Sequence, residues 1–191
     1  MSVRKILHLG HPTLRTLAKE VPLEEIASPE FQTLVDDLIE TMRAANGAGL
    51  AAPQIGELVR LCALEVNKNP RYPYKPDIPL TILINPVIEV IGQEAFQNYE
   101  GCLSVPNLRG VVSRAAHIRV SALNRHGEPL VIEAKGITAG TYQHEVDHLD
   151  ATLFVDRVVD RQTLTTWEQF DEFHKEEWLV AAAQIVERFG S

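Results

Sequence analysis

TYQHEVDHLDATLF, residues 141–154, decides how the rest of the chain is read, because it contains His144, Glu145 and His148 in a His-Glu-x-x-His pattern. On a helix, side chains four residues apart lie one above the other, so both imidazoles can reach one point. A carboxylate next to the first imidazole is the base that a metal hydrolase needs. Two imidazoles alone do not make a catalytic metal site, which takes three protein ligands and keeps one position open. The usual extension with Gly and a third His is absent, since Ala151 and Phe154 stand at those positions.

Three sources of a further ligand are open. Glu168 and Glu172 follow on a charge-rich stretch, WEQFDEFHKEEW, whose plainer reading is a solvated helix face. Cys102 would give a thiolate and two imidazoles, a set suited to zinc or ferrous iron with room for water. Adding Cys62 would close the site as a structural Cys2His2 centre. Cys62 sits in the apolar run VRLCALEV, where a thiol packs as a small hydrophobe.

Bulk properties bound the class. The 191 residues are 45% apolar and 23% charged, enough for one domain with a good core. A net charge of −8 argues against a dedicated DNA-binding or anionic-membrane surface. Cys62 and Cys102 make no disulfide framework, which points to a reducing compartment. MSVRKILHLGHPTLR has no apolar stretch of signal-peptide length, and no run approaches the roughly 20 apolar residues of a membrane span. A bacterial cytoplasmic protein is expected.

Residues 28–46 carry helix signals: Ser28 to cap, Pro29 in the first turn, and Phe31, Leu34, Val35, Leu38, Ile39 and Met42 on one face, stopped by Asn46-Gly47. From 58 to 135 the texture is β, with VRLCALEV, LTILINPVIEVI, AHIRVSAL and PLVIEA as strands and a hairpin turn at 124–127. NKNPRYPYKPDIP, residues 67–79, reads as a surface loop. A helix over about 138–149 carries the histidines, and a last helix runs from about Thr163 to Arg188. Helix, strands, helix in that order implies α+β rather than alternating βαβ.

Two other stretches hold chemistry. YEGCLSVPNLRG places Cys102 just after a strand-like region, and NGAGLAAPQIG surrounds Gln54 with small residues. The glycines there read either as a tight loop with unusual backbone angles or as room for a substrate backbone beside Gln54. Taken in order, Gly-x-Gly-Leu-Ala-Ala-x-Gln (47–54), Glu-Gly-Cys-Leu-Ser (100–104) and Gln-His-Glu-x-x-His-Leu (143–149) closely resemble the three motifs of peptide deformylases. ILHLGHPTLR and LINP extend the resemblance over most of residues 5–157.

The resemblance implies an α+β fold in which small mixed or antiparallel strands surround the histidine helix, with N-terminal and C-terminal helices. It implies a catalytic domain over 1–160 and a helical extension over 161–191 packed on it, ribosome contact being the alternative role for that extension. It supplies Cys102 as the third ligand beside His144 and His148, holding Fe2+, with Zn2+, Ni2+ or Co2+ as substitutes in preparations. The implied activity is removal of the formyl group from the N-terminal methionine of nascent proteins. Glu145 would take the proton from the attacking water and pass it to the leaving amine. By resemblance, the Gln54 side-chain N–H and the Leu103 backbone N–H would bind the oxyanion. The peptide would add a strand between Gly47, Ala48 and Gly49 on one side and Glu100 and Gly101 on the other. Its methionine would enter an apolar pocket near Ala48, Gly140 and Thr141. Arg109 matches a family position beside the peptide, with an exposed structural arginine as the other reading. A monomer is expected. Ala151 departs from the family, which commonly has Gly there; if the position needs positive φ, alanine costs about 1 kcal/mol.

Overall fold

The structure is a computed structural model that describes residues 2–69, 71 and 73–191. Pro70 and Tyr72 of the proline-rich loop lie outside the described residues.

After a one-turn helix, α1 (Leu23–Ile26), the first long helix is α2 (Pro29–Ala44). Ser28 Oγ accepts from the Phe31 N–H at 3.2 Å, and Phe31, Val35, Leu38, Ile39 and Met42 are buried, as their spacing predicts. The helix stops where Asn46 turns left-handed, with φ 51°.

Five strands form one antiparallel sheet in the order β1 (Gly49–Ala51), β2 (Leu61–Val66), β3 (Ile78–Val90), β6 (His117–Leu123) and β7 (Pro129–Lys135). Between β3 and β6 the chain makes a second, two-stranded sheet from β4 (Ala95–Cys102) and β5 (Val105–Ala115). The β6–β7 turn falls at 124–127, where Asn124 Oδ1 accepts from the N–H groups of His126 and Glu128 at 2.8 and 3.1 Å. In LINP the register of β3 shifts between Ile84 and Val87. Asn85, at φ 52°, exchanges two hydrogen bonds with the backbone of Val21. That bulge ties the N-terminal segment to the sheet.

The histidine helix, α3 (Gly136–Leu149), packs among strands of both sheets and is buried on nearly every side. Ala139, Tyr142 and Leu149 face the five-stranded sheet with Cys62, Leu64 and Leu83. Ile137 faces Phe96, Phe170, Trp178 and Ala182. This is the fold class that the sequence implies.

The C-terminal segment differs from expectation. It is two helices, α4 (Trp167–Phe173) and α5 (Lys175–Phe189), rather than one. Both ends are pinned: Thr165 exchanges backbone hydrogen bonds with Arg109 of β5, and the Ser191 carbonyl accepts from the Ile137 N–H at the start of α3. Between these anchors the chain turns at His174 (φ −123°, ψ −17°). Gly136, at φ +50°, permits the second anchor, because a Cβ there would run into the Ser191 carbonyl oxygen.

Ala151 follows α3 with φ 57°. The left-handed conformation costs a non-glycine residue about 1–2 kcal/mol. Glycine gives back about 0.4–1 kcal/mol through unfolded-chain entropy. Ala151→Gly is therefore expected to stabilise the protein by about 0.5–1 kcal/mol, raising Tm by roughly 1–4 °C in thermal unfolding followed by circular dichroism. An unchanged or lower Tm would show that the site does not carry this strain.

Candidate metal centre and active site

α3 sets the His144 and His148 rings on one face with centroids 5.1 Å apart. The third group arrives from the end of β4, where the ladder slips between Gly101 and Cys102. Cys102 Sγ lies 3.3 Å from His148 Nε2, and one donor atom from each of Cys102, His144 and His148 falls within 4.8 Å of the others. In a tetrahedral site with ligand bonds of about 2.0–2.3 Å, donors sit roughly 3.3–3.8 Å apart, so the spacing fits a single ion. The Ser104 N–H donates to Cys102 Sγ at 3.3 Å.

Glu100 orients the first imidazole. Its Oε2 lies 2.8 Å from His144 Nδ1, leaving Nε2 for the cluster. The same carboxylate accepts from Arg114 Nε and NH2, both at 2.8 Å, and Arg114 NH1 donates to Asp147 at 2.6 Å. Arg157 closes the chain on Asp147 from outside. Burial opposes the charge on Glu100, but the Arg114 guanidinium and the His144 ring hold its pKa far below the usual carboxylate range. Burial also opposes a charge on His144, yet Cys102 and Glu100 hold its pKa well above the ordinary value, whereas burial, with His144 and Arg114, holds that of His148 well below it. A metal cation fits the donor set.

Glu145 is 4% exposed, and its Oε2 is a buried atom without a hydrogen-bond partner among the described residues. Burial pushes its pKa up to about 7. The carboxyl packs over Gly49, where a Cβ would come within 2.6 Å of Glu145 Cγ. Gln54 is also buried, and its amide direction is fixed. Its Oε1 accepts from the Ala51 N–H at 2.8 Å, so Nε2 faces Ser104 Oγ at 3.0 Å and Cys102 Sγ at 3.5 Å. The N-terminal segment braces both loops, with the Leu7 N–H on the Gln54 carbonyl and the Leu9 N–H on the Ser104 carbonyl.

One pocket unites Gly47, Ala48, Gly49, Gln54, Glu100, Gly101, Cys102, Leu103, Gly140, Thr141, His144 and Glu145. His148 lies behind it, 2% exposed. Arg109 is not in this lining. It is 1% exposed, so the exposed alternative is corrected. Its NH2 donates to Tyr74 Oη and the Tyr99 carbonyl, and its guanidinium carbon lies 3.9 Å from the Phe170 ring centre. It borders a neighbouring cavity with Arg71 and Trp167. Cys62 is packed in the core, and Glu168 and Glu172 are exposed on α4; the Cys102–His144–His148 group includes none of them.

In NGAGLAAPQIG the unusual backbone angle falls on Gly56 (φ 94°) and not on Gly47 or Gly49; Gly49 belongs to β1 and gives room to Glu145. One expectation about the pocket needs correction. The pocket beside Gly140 and Thr141 is not simply apolar. The segment after the proline-rich stretch brings in Lys75, whose Nζ donates to Thr141 Oγ1 at 2.8 Å and whose pKa burial lowers to about 8. Asn98 lines it as well. Arg114, Asp147, Ser104, Lys75 and Asn98 were all missed from sequence. The signal for the first two was present: an arginine inside the apolar run VVSRAA, and an aspartate inside the histidine motif itself.

Known proteins resemble this chain in sequence and in fold. A family profile described as polypeptide deformylase matches residues 3–164. Peptide deformylase 1 of Bordetella pertussis is 46% identical over 158 residues, covering 83% of this chain and 89% of the relative. Peptide deformylase 1 of Prochlorococcus marinus is 46% identical over 161 residues, covering 84% of this chain and 83% of the relative. Among solved structures, the Met-Ala-Ser-bound class I type b peptide deformylase from Acinetobacter baumannii matches with a TM-score of 0.79 and 38% identity, covering 83% of this chain and 100% of that one. The actinonin complex of a peptide deformylase from Synechococcus elongatus matches with a TM-score of 0.74 and 30% identity, covering 100% of this chain and 87% of that one.

Proposed function

The chain belongs to the polypeptide deformylase family, metal-dependent enzymes that remove the N-formyl group from nascent peptides, and we propose that it releases formate from N-formylmethionyl chains at the Cys102–His144–His148 centre. The observation that carries this reading is the convergence, in one pocket, of a thiol, two imidazoles and a buried carboxyl whose pKa lies at about 7. Cys102, His144 and His148 would hold Fe2+, with Zn2+, Ni2+ or Co2+ able to substitute. The ion, when bound, supplies the Lewis acidity that activates water toward the formyl carbon.

The remaining chemistry belongs to the chain. Glu145 takes a proton from the attacking water and returns it to the leaving amine, a task suited to a group that titrates near the working pH. Gln54 Nε2 and the Leu103 N–H donate to the oxygen that becomes negative. Glu100, held by Arg114, keeps the His144 ring in place. β1 is an edge strand, and its Gly49 lines the pocket together with Glu100, Gly101 and Cys102 of β4, so an extended peptide can add there through main-chain hydrogen bonds that ignore side-chain identity. Within this reading, residues 1–160 form the catalytic domain and 161–191 an extension packed on it. The enzyme works as a monomer in the bacterial cytoplasm and meets its substrates as they leave the ribosome.

The test is formate release from N-formyl-Met-Ala-Ser by protein loaded with Fe2+ without oxygen, with the peptide followed by mass spectrometry. Loss of the formyl mass with the peptide bonds intact is expected. Cleavage inside the peptide, or no formate from folded, metal-loaded protein, would overturn the reading.

A further inference from the structure

A second face of α3 carries charge away from the substrate pocket. Asp147 lies on α3 just before His148, yet it lines a cavity with Arg60 and Arg157 rather than the pocket that holds His144 and Glu145. It is 7% exposed, and its carboxylate accepts from Arg114 NH1 at 2.6 Å. Arg114 also gives Glu100 two hydrogen bonds, and Glu100 in turn faces His144 Nδ1 at 2.8 Å. One buried guanidinium therefore serves two buried carboxylates. A further partner for Asp147 weakens its competition with Glu100 for that guanidinium.

Arg157 is that partner. Its Nε and NH2 donate to Asp147 Oδ2 and Oδ1 at 2.5 and 2.6 Å, the two-pronged pairing that suits a guanidinium and a carboxylate. The backbone beneath it is held in place. Arg157 ends the single turn Phe154–Arg157, where Phe154 is buried and the Leu153 N–H donates to Asp156 at 2.8 Å. Arg60 is engaged instead by Asp150 and the Pro86 carbonyl. The Arg157 side chain is 46% exposed, and an ion pair between two exposed side chains contributes little. Here the carboxylate is buried, and a line of hydrogen bonds leads from it to a ring of the metal centre.

We propose that Arg157 is a positioning residue for the metal centre: by pairing with Asp147 it leaves Arg114 to Glu100, and so steadies the His144 ring across three intervening side chains. The proposal rests on the centre described under the proposed function and concerns its affinity for the ion. Without Arg157, Asp147 draws on Arg114 alone, and Glu100 holds His144 less firmly. Losing the direct partner of a ligating imidazole costs about 10–100-fold in metal affinity, and a residue acting through others costs less.

The test uses Co2+ as the probe, because a thiolate ligand gives the bound ion an absorption band that the free ion lacks. Metal-free protein is titrated with Co2+ against a competing chelator, and circular dichroism confirms that each protein is folded. Arg157→Met is expected to keep the band and to bind about three- to tenfold more weakly than the wild type. Arg157→Lys keeps the charge without the paired N–H groups and should fall between them. In an Asp147→Asn background, Arg157→Met should change the affinity by less than about twofold, because the carboxylate through which it acts is gone. Wild-type affinity in Arg157→Met would overturn the proposal, even with a lowered Tm, since that is what a merely structural arginine gives. An equal loss in both backgrounds would overturn it as well. A wild type that shows no thiolate band would overturn the Cys102–His144–His148 centre itself, and the proposal with it.

Discussion

Glu145→Gln protein is expected to bind its metal normally and yet release formate about 10²–10⁴ times more slowly than the wild type. The amide keeps the shape of the carboxyl but cannot take a proton from water. The loss should fall on kcat, because Glu145 acts on the proton in flight rather than on the peptide. Stability should move the other way. The folded pKa of about 7 lies above the ordinary 4.5 of a glutamate, so the folded state disfavours the ionised form. Below pH 4.5 the carboxyl is protonated folded or unfolded and contributes no penalty. Between 4.5 and 7 the penalty grows, and above 7 it is full, at roughly 2–3 kcal/mol. Metal-free Glu145→Gln is therefore expected to melt about 5 °C higher than the wild type at pH 8, with the difference disappearing near pH 4.5. Thermal unfolding at the two pH values checks this. A variant that loses activity and stability together at pH 8 would indicate a structural role for Glu145.

Arg114→Met should be the most damaging change outside the metal ligands. Arg114 gives Glu100 two hydrogen bonds and Asp147 a third from a side chain that is 2% exposed. Removing one member of a buried ion pair typically costs about 3–5 kcal/mol, since the other charge stays buried without its partner. A Tm about 10 °C lower is expected. Glu100 would then protonate more readily and hold His144 less firmly, weakening metal affinity by about 10–100-fold. Adding Glu100→Gln should restore much of the Tm, because it removes the stranded charge, but not the metal affinity, because the anionic partner of His144 stays lost. Equal recovery of both would contradict a positioning role for Glu100.

These expectations rest on groups of unequal visibility in the sequence. The fold class and α2 were legible because burial and period coincide there, from the Ser28 cap to the stop at Asn46. The β6–β7 hairpin was legible through Asn124, whose side chain builds the turn. The motifs carrying Cys102, His144 and His148 named the three donors, and the fold brings them together. β5 was harder to see, because Pro106, Asn107 and Gly110 break its pattern and because Arg109 and Arg114 point inward instead of to solvent. A buried arginine looks like a surface residue until its carboxylate partners are placed, and Glu100 and Asp147 lie 14 and 33 residues away. The split at His174 was hidden because no glycine or proline marks it within WEQFDEFHKEEW. Lys75 was hidden too: nothing local says that a lysine after a proline-rich stretch lands on Thr141, 66 residues on.

The most direct measurement is a titration of metal-free protein with Fe2+ in the absence of oxygen, following formate release from N-formyl-Met-Ala-Ser. The account predicts a linear rise that saturates at one ion per chain, with Cys102→Ser failing to reach it at the same metal concentration. Formate release that ignores added metal, or that is unchanged in folded Cys102→Ser, would contradict a thiolate-imidazole centre as the seat of the reaction.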